Sequence, residues 1–269
     1  MKKHLLSLSL IGFMLSGVSP AAFAQGEAAA EQNYVTKSEI EALIKDYILQ
    51  NGDIVMQSVN DFQARQEAEQ ARAAEEAIKT EAAFLFENTA SPTAGASAEN
   101  AAVTVVEFFD YNCGFCKRAV PDVTSVLENN DDVRVVFKEV PILSQSSREI
   151  AKWALAADKQ DKYLPYHVAL MEHRGQYDES VFMRLAEENG LDAEKLKADK
   201  DDPALDEILN ENLAYMNKFG IRGTPSFIVG DELARGYIGQ ERLQAMIDET
   251  RAENAAEAEE TEDGAQGGE

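Results

Sequence analysis

A pair of cysteines directly after an apolar run is the feature that most constrains the fold of this chain. The chain has only two cysteines, and Gly114 and Phe115 separate them. The apolar run from Val103 to Phe109 predicts a strand, whereas the residues that follow Cys116 have helical periodicity. A strand that delivers a C-x-x-C pair to a helix start places one thiol where backbone N–H groups and the helix dipole stabilise its thiolate. The pattern therefore predicts a redox centre that exchanges disulfides.

A structural disulfide and a metal site are the alternatives to this redox centre. A disulfide that closes so short a ring stabilises the folded state by only about 2 kcal/mol. A secreted chain of this length does not need such a disulfide to fold. A structural zinc would need two more Cys or His ligands, but His167 and His173 have no ligand motif around them. We therefore predict no resident metal and no cofactor. Binding of a soft ion such as Cu(I) by the two thiolates is kept as an alternative function.

The N-terminus has the pattern of an export signal. Two lysines precede the apolar stretch 5–18, and the triplet 22–24 has the small-x-small pattern of a signal-peptidase site. We expect residues 1–24 to be a signal peptide and the exported protein to begin near Gln25. The apolar stretch is too short for a comfortable membrane span, so we predict no membrane insertion and a periplasmic location.

Charge limits the partners of the chain. Its formal net charge is -24, and loss of the signal, which carries two lysines and no acids, makes it -26. Nucleic acid and anionic membrane surfaces are therefore poor partners for this chain, and we predict no nucleic-acid partner. Seven acids and no bases lie between Ala252 and Glu269. We expect residues 251–269 to form a disordered acidic tail.

The segment 25–90 is predicted to be helical. Thr36 and Glu39 have the spacing of a capping box and predict a helix start. The helix that follows carries apolar residues on one face, namely Ile40, Leu43, Ile44, Tyr47 and Ile48. A second helix is expected from about Ile54 to near Phe86. Because two helices with one apolar stripe cannot form a core of their own, we predict a homo-oligomer through them; the alternative is that they lie on their own domain.

The rest of the chain is predicted to form an α/β domain over 91–250. The small-residue and Pro/Gly stretch 90–97 is typical of a linker between domains. The apolar run 133–140 predicts a strand parallel to the one before the cysteines. A helical insertion is expected at about 145–219, after which the run 226–229 returns to strand.

Two motifs carry a resemblance to a known family. Residues 107–118 read Glu-Phe-Phe-Asp-Tyr-Asn-Cys-Gly-Phe-Cys-Lys-Arg, and residues 223–227 read Gly-Thr-Pro-Ser-Phe. Together they resemble the DsbA-like thioredoxin-fold oxidoreductases, nearest to the ScsC and Com1 type of periplasmic protein. The resemblance covers Val103 to Glu249 and implies a thioredoxin fold with an inserted helical subdomain. The N-terminal helices are similar to the α-helical stalk of ScsC-type proteins.

The resemblance implies a role for each site residue. Cys113, at the helix start, is expected to attack as a thiolate, and Cys116 to resolve the mixed disulfide. The family carries an acid at the position of Glu107, which implies a relay for the Cys116 proton; the alternative is an ordinary strand carboxylate. A cis bond between Thr224 and Pro225 is implied as well, with the Thr224 backbone pairing to an extended substrate segment.

One departure from the family affects the direction of catalysis. The strongly oxidising DsbA proteins carry Pro-His between their cysteines, where this chain has Gly114 and Phe115. Loss of the imidazole predicts a less extreme thiol pKa, although Lys117 and Arg118 add positive charge nearby. We therefore predict isomerase or reductase activity ahead of oxidase activity. The expected partners are exported proteins with thiols or disulfides and a redox partner that resets the cysteine pair; an oligomeric surface antigen with vestigial catalysis is a further alternative.

Overall fold

The computed structural model describes residues 34–266. The predicted signal peptide and the predicted start of the exported protein lie outside this range. The helices are α1 (Lys37–Gln50), α2 (Gly52–Thr80), α3 (Gly114–Asn129), α4 (Gln145–Asp158), α5 (Tyr163–Glu172), α6 (Glu179–Glu188), α7 (Ala193–Asp199), α8 (Pro203–Lys218) and α9 (Gly239–Gln266). The strands are β1 (Thr93–Gly95), β2 (Val103–Phe109), β3 (Val133–Glu139), β4 (Ser226–Val229) and β5 (Glu232–Arg235). None of the helices in the described range is both long and apolar enough to cross a membrane.

The chain divides into two compact units, and the first ends at Gln57. Its described residues form α1 and the beginning of α2. The predicted capping box is present at the start of α1, because the Thr36 hydroxyl accepts the backbone N–H of Glu39 at 3.3 Å and the Glu39 carboxylate accepts that of Thr36 at 2.9 Å. The apolar face of α1 is exposed, at Ile40, Leu43, Ile44, Tyr47 and Ile48.

The second unit begins at Ser58 and contains a five-stranded sheet in the order β1-β3-β2-β4-β5. The predicted parallel pairing of β2 with β3 is confirmed, with Val103 opposite Val133. Strand β4 runs antiparallel to β2. The C-terminal ends of β2 and β3 therefore lie beside the N-terminal end of β4, at the same end of the sheet. Helices α4 to α8 lie between β3 and β4 in the sequence, where the helical insertion is expected.

The stretch 90–97 differs from its prediction as a linker between domains. Its central residues form β1, which pairs antiparallel with β3 and places Thr93 opposite Val136. Gly95 ends this strand with φ +86°, and a Cβ there would lie 2.2 Å from the carbonyl oxygen of Val133. A glycine is thus required at position 95 by its positive φ and by close approach to β3. Composition alone does not distinguish this need from the flexibility of a linker.

The residues before β1 complete the core on one face of the sheet. The end of α2 and a π-helical turn at Ala83–Glu87 contribute Ile78, Phe84 and Leu85, which are buried with Val106 and Phe108 of β2. Lys138 of β3 is also buried there and donates to the Phe84 carbonyl and to the Ser91 hydroxyl, both at 2.8 Å. The second compact unit therefore starts well before the predicted boundary at residue 91. The sequence prediction missed this because an apolar residue near a helix end does not reveal which surface it covers.

The acidic C-terminal segment also differs from the prediction. Helix α9 buries Leu243, Met246 and Ile247 and continues to Gln266, through most of the segment that was expected to be disordered. Alanine and glutamate dominate this extension, and both are strong helix formers. The prediction of disorder rested on the run of acids. The packed first turns of α9 provide the helix nucleus, after which each further residue extends the helix at little cost.

Replacement of Leu85 by Ala tests whether the turn before β1 belongs to the core. Leu85 is fully buried, so we expect Leu85→Ala to lower the free energy of unfolding by about 2–5 kcal/mol. Urea denaturation followed by the fluorescence of the single Trp153 measures it. Glu69→Ala, at an exposed position of α2, is the control and is expected to change stability by less than about 0.5 kcal/mol. Equal effects of the two substitutions would contradict the assignment.

Candidate active site

The cysteine pair lies where β2 leads into α3, as the sequence predicts. Cys113 is the N-cap of α3, and its sulfur accepts the backbone N–H of Cys116 at 3.4 Å. Both cysteines are free thiols in this structure; Cys113 is 6% exposed and Cys116 is fully buried. Phe115 between them is 60% exposed. The helix start thus leaves a small part of Cys113 exposed and encloses Cys116 completely.

The surroundings of the two thiols separate their pKa values. Hydrogen bonds from the Cys116 thiol, from Thr224 and from the backbone N–H groups of Cys116 and Phe115 outweigh burial and lower the pKa of Cys113 to about 5. Burial is the main cause that raises the pKa of Cys116, followed by its hydrogen bond to Cys113 and the charge of Glu107. At neutral pH Cys113 is therefore the thiolate and Cys116 the thiol, which is the division of roles that nucleophile and resolving thiol require.

Glu107 lies in β2 on the side of the sheet that α3 covers. Alternation along the strand places it with Val105 and Phe109, which belong to the same core as both cysteines. It is 3% exposed. Burial, together with the charge of Cys113, raises the pKa of Glu107 to about 8. A buried carboxyl that titrates near neutral pH can accept or donate a proton under physiological conditions.

The segment before β4 meets the cysteine pair from the other side. The bond between Thr224 and Pro225 is cis, as the family resemblance implied. The Cys113 thiol lies 3.2 Å from the Thr224 carbonyl oxygen. The neighbouring carbonyls have partners within the chain, since Gly223 accepts the Ser226 hydroxyl and Pro225 accepts the Gly236 N–H. The Thr224 carbonyl is thus the one that faces the thiol.

The two cations after the cysteines contact other side chains of the domain. The Lys117 ammonium donates to the His173 carbonyl at 3.2 Å and to the Tyr177 hydroxyl at 2.9 Å. The Arg118 guanidinium lies 4.6 Å from the centre of the Tyr237 ring. Neither is among the causes that lower the pKa of Cys113. These contacts show that both residues anchor α3 to the surrounding structure.

Three residues directly before Cys113 were not selected by the sequence analysis, although they hold the site together. The Asp110 carboxylate accepts the Asn112 N–H at 2.7 Å and the Ile142 N–H at 2.8 Å, so it joins the loop after β3 to the cysteines. The Asn112 amide donates to serine hydroxyls around the start of α4. Tyr111 points into the domain and is 1% exposed. Their position beside the C-x-x-C pair was the only signal in the sequence.

The described residues contain no group of three or more His, Cys, Asp or Glu side chains arranged to hold a metal ion. The two thiols are therefore the soft ligands available at this site. They provide two of the four ligands of a structural zinc.

Two family models match the chain. The model described as the DSBA-like thioredoxin domain matches residues 104–249. The model described as the copper resistance protein ScsC N-terminal domain matches residues 37–69.

Several solved structures are similar over most of their own length. A thioredoxin-like oxidoreductase from Silicibacter pomeroyi DSS-3 is 40% identical with a TM-score of 0.60, and the match covers 63% of this chain and 97% of that one. A linker-deletion mutant of Proteus mirabilis ScsC is 27% identical with a TM-score of 0.63 and covers 82% and 99% of the two chains. BcfH from Salmonella enterica Typhimurium is 26% identical with a TM-score of 0.67 and covers 80% and 95%.

Curated relatives match only in part. The Na(+)/H(+) antiporter NhaA 1 of Salinispora arenicola (strain CNS-205) is 27% identical over 149 residues, which are 55% of this chain and 23% of the antiporter. The chain thus spans about a quarter of the length of the curated relatives that it matches. The similar region has the length of the thioredoxin domain alone.

Substitution of Cys116 tests what lowers the pKa of Cys113. Cys116→Ala removes the side-chain hydrogen bond that contributes most, so we expect the Cys113 titration midpoint to rise from about 5. Cys116→Ser keeps a hydroxyl donor and is expected to raise it less. The ultraviolet absorbance of the thiolate, followed against pH, measures both midpoints. A Cys113 midpoint that stays at about 5 in both variants would show that the backbone N–H groups, and not the Cys116 side chain, lower the pKa.

Proposed function

The chain belongs to the DsbA-like thioredoxin family, and on that premise we propose that it is an exported thiol-disulfide oxidoreductase that acts on protein substrates in the periplasm. The observation that carries this proposal is the division between the two thiols. Cys113 has a pKa of about 5 at the start of α3, whereas burial keeps Cys116 protonated behind it. That arrangement supports attack by one thiol and release by the other.

The exchange reaction begins with the Cys113 thiolate. Its sulfur attacks a substrate disulfide, so that a bond from Cys113 to one substrate sulfur forms while the substrate disulfide breaks and the second substrate sulfur leaves as a thiolate. Cys116 loses its proton to Glu107 and attacks the Cys113 sulfur. This step releases a reduced substrate and leaves the Cys113–Cys116 disulfide. When a second substrate thiolate attacks first, the substrate disulfide is rearranged and Cys113 returns as a thiolate.

The Thr224 carbonyl supports a mode of substrate binding. An extended segment that pairs with the Thr224 backbone, next to Pro225, would bring its sulfur towards Cys113, because the thiol and this carbonyl are 3.2 Å apart. Such pairing is strand addition at the start of β4. Backbone pairing does not depend on side-chain identity, so the proposed substrates are exported proteins of varied sequence.

Two features favour isomerase or reductase activity over oxidase activity. The pKa of Cys113, about 5, lies between values of about 3.5 for strongly oxidising DsbA and about 7 for thioredoxin. A thiolate that is less stabilised than that of DsbA makes the reduced form less favoured and the disulfide less oxidising. The exposed apolar face of α1 is the second feature, since an oligomer would hold several cysteine pairs around one substrate.

Copper binding is the alternative from another functional class. The family model that matches residues 37–69 is named for a copper resistance protein, but that segment carries neither Cys nor His. Among the described residues the cysteine pair offers the only thiolate ligands. The site geometry therefore favours thiol exchange.

Reactivation of an enzyme with scrambled disulfides tests the proposed activity. In a glutathione buffer, the protein from Gln25 onward is expected to restore activity to the test enzyme, and Cys113→Ala is expected to give only the uncatalysed rate. The assay measures the rate of regained activity. Rapid oxidation of a reduced test substrate without any reactivation would contradict isomerase activity and favour the oxidase. Inactivity in both assays would contradict the proposed function itself.

Paired substitutions on α1 test the proposed homo-oligomer. Ile40→Gln with Ile44→Gln removes two exposed apolar side chains one turn apart, and we expect it to dissociate the oligomer because burial of these residues would be its driving force. Glu41→Gln with Lys45→Gln has the same spacing, removes no apolar group and is the control. Sedimentation velocity gives the molecular mass. A monomeric parent protein would exclude the oligomer and favour helices that lie on their own domain.

A further inference from the structure

A buried polar cluster lies next to the cysteine pair and takes no part in thiol exchange. Its members are Tyr111, Glu139, Tyr163 and His167, each at most 3% exposed. The Tyr111 hydroxyl is 2.9 Å from His167 Nδ1 and 3.4 Å from Glu139 Oε1. Tyr163 donates its hydroxyl proton to the same Glu139 oxygen at 2.9 Å. Tyr111 precedes Cys113 by two residues, whereas the other three belong to β3 and α5.

Burial opposes charge throughout this cluster. Burial lowers the pKa of His167 to about 3. Burial also raises the pKa of Glu139 well above its usual value, and the nearby charges of Asp158 and Asp110 raise it further. No Lys or Arg of the described range is bonded to any of the four side chains. A neutral imidazole avoids the cost of buried charge, and burial opposes ionisation of the Glu139 carboxyl.

Tyr111 is held in either tautomer of His167. If Nδ1 is bare, the phenol donates to it; if Nδ1 carries the proton, the imidazole donates to the phenol oxygen and the phenol donates to Glu139. The imidazole is packed between aromatic rings, since its ring centre lies 4.9 Å from that of Phe109 and 5.1 Å from that of Phe137. The Tyr111 phenol therefore has a closely packed hydrogen-bond partner on α5.

The hydrogen bond between Tyr111 and His167 helps to set the position of Cys113, which follows Tyr111 by two residues. The Cys113 thiolate accepts the backbone N–H of Cys116 at 3.4 Å, and the backbone N–H groups of Cys116 and Phe115 are among the causes that lower its pKa. These contacts lengthen if the segment that carries Cys113 shifts. Two other side chains tie this segment to the start of α4: Asp110 accepts the buried Ser147 hydroxyl at 2.7 Å, and Asn112 donates to serine hydroxyls there. Tyr111 provides the buried attachment to α5.

We propose that Tyr111 is a positioning residue for the Cys113 thiolate and acts through His167, so that the helical insertion sets the reactivity of the nucleophile. The inference rests on the proposed function in so far as Cys113 is its nucleophile. Its direct consequence concerns the ionisation of Cys113, which is measured without any substrate. A failed activity assay therefore leaves this test intact.

Tyr111→Phe in the full chain tests the proposal, because it keeps the ring and removes only the hydroxyl. We expect the Cys113 titration midpoint of the reduced protein, followed by thiolate absorbance, to rise by about half a pH unit. At a pH below the midpoint this is about a threefold loss of thiolate. The rate of alkylation of Cys113 at fixed pH should fall by a similar factor.

Tyr166→Phe is the matched control. Tyr166 lies on the same helix as His167, is fully buried, and donates its hydroxyl to the Phe182 carbonyl at 3.1 Å. Its loss is expected to lower stability without moving the Cys113 midpoint. Equal midpoints for Tyr111→Phe and the parent protein would overturn the proposal. Equal shifts for the two variants would overturn it as well, since they would report a general loosening of the fold.

A double variant tests the part assigned to His167. His167→Phe preserves an aromatic ring and removes the nitrogen that faces Tyr111. If Tyr111 acts through His167, the variant with both substitutions should titrate with the same midpoint as Tyr111→Phe alone. A shift equal to the sum of the two single shifts would overturn the coupling. Thermal unfolding of each variant shows that the titrations compare folded proteins.

Discussion

Burial of β2 on both faces of the sheet is the constraint on which the site depends. Val105 and Phe109 enter the core beneath α3, while Val106 and Phe108 enter the core on the opposite face. Because a one-residue slip would exchange the two faces, the register of this strand is fixed by packing. The position of Cys113 at its end is fixed with it. Glu107 is carried into the first core by the same alternation, which is why a carboxyl is buried near the two thiols.

Folding thus shifts two acidic groups in opposite directions. Hydrogen bonds at the helix start lower the pKa of Cys113 to about 5, and burial raises that of Glu107 to about 8. A lowered pKa means that ionised Cys113 stabilises the folded protein, and this stabilisation is lost as the pH falls towards 5. A raised pKa means the reverse for Glu107, whose ionisation destabilises the fold as the pH rises towards 8. The reduced site therefore favours the ionised form of Cys113 and the protonated form of Glu107.

The helical insertion and the segment before β1 do more than surround this site. Residues of α5 hold Tyr111, and the start of α4 holds Asn112, so both attachments lie within a few residues of Cys113. On the opposite face, the π-helical turn is bonded to Lys138, where burial lowers the lysine pKa to about 7. A lysine can be buried there because the Phe84 carbonyl and ring face its ammonium. The helical insertion and the segment before β1 each cover one face of the central sheet and complete the core on that face.

The sequence by itself determined the local elements and the reactive pair. Helix periodicity, the capping box of Thr36 and Glu39, the strand before Cys113 and the C-x-x-C spacing all depend on neighbours within a few residues. The tertiary structure decided what depends on distant parts of the chain: the pairing of β1, the burial of Leu85, the raised pKa of Glu107 and the anchor of Tyr111. Tyr111 and His167 are 56 residues apart. Burial and long-range hydrogen bonds follow from packing, and no local spacing in the sequence encodes them.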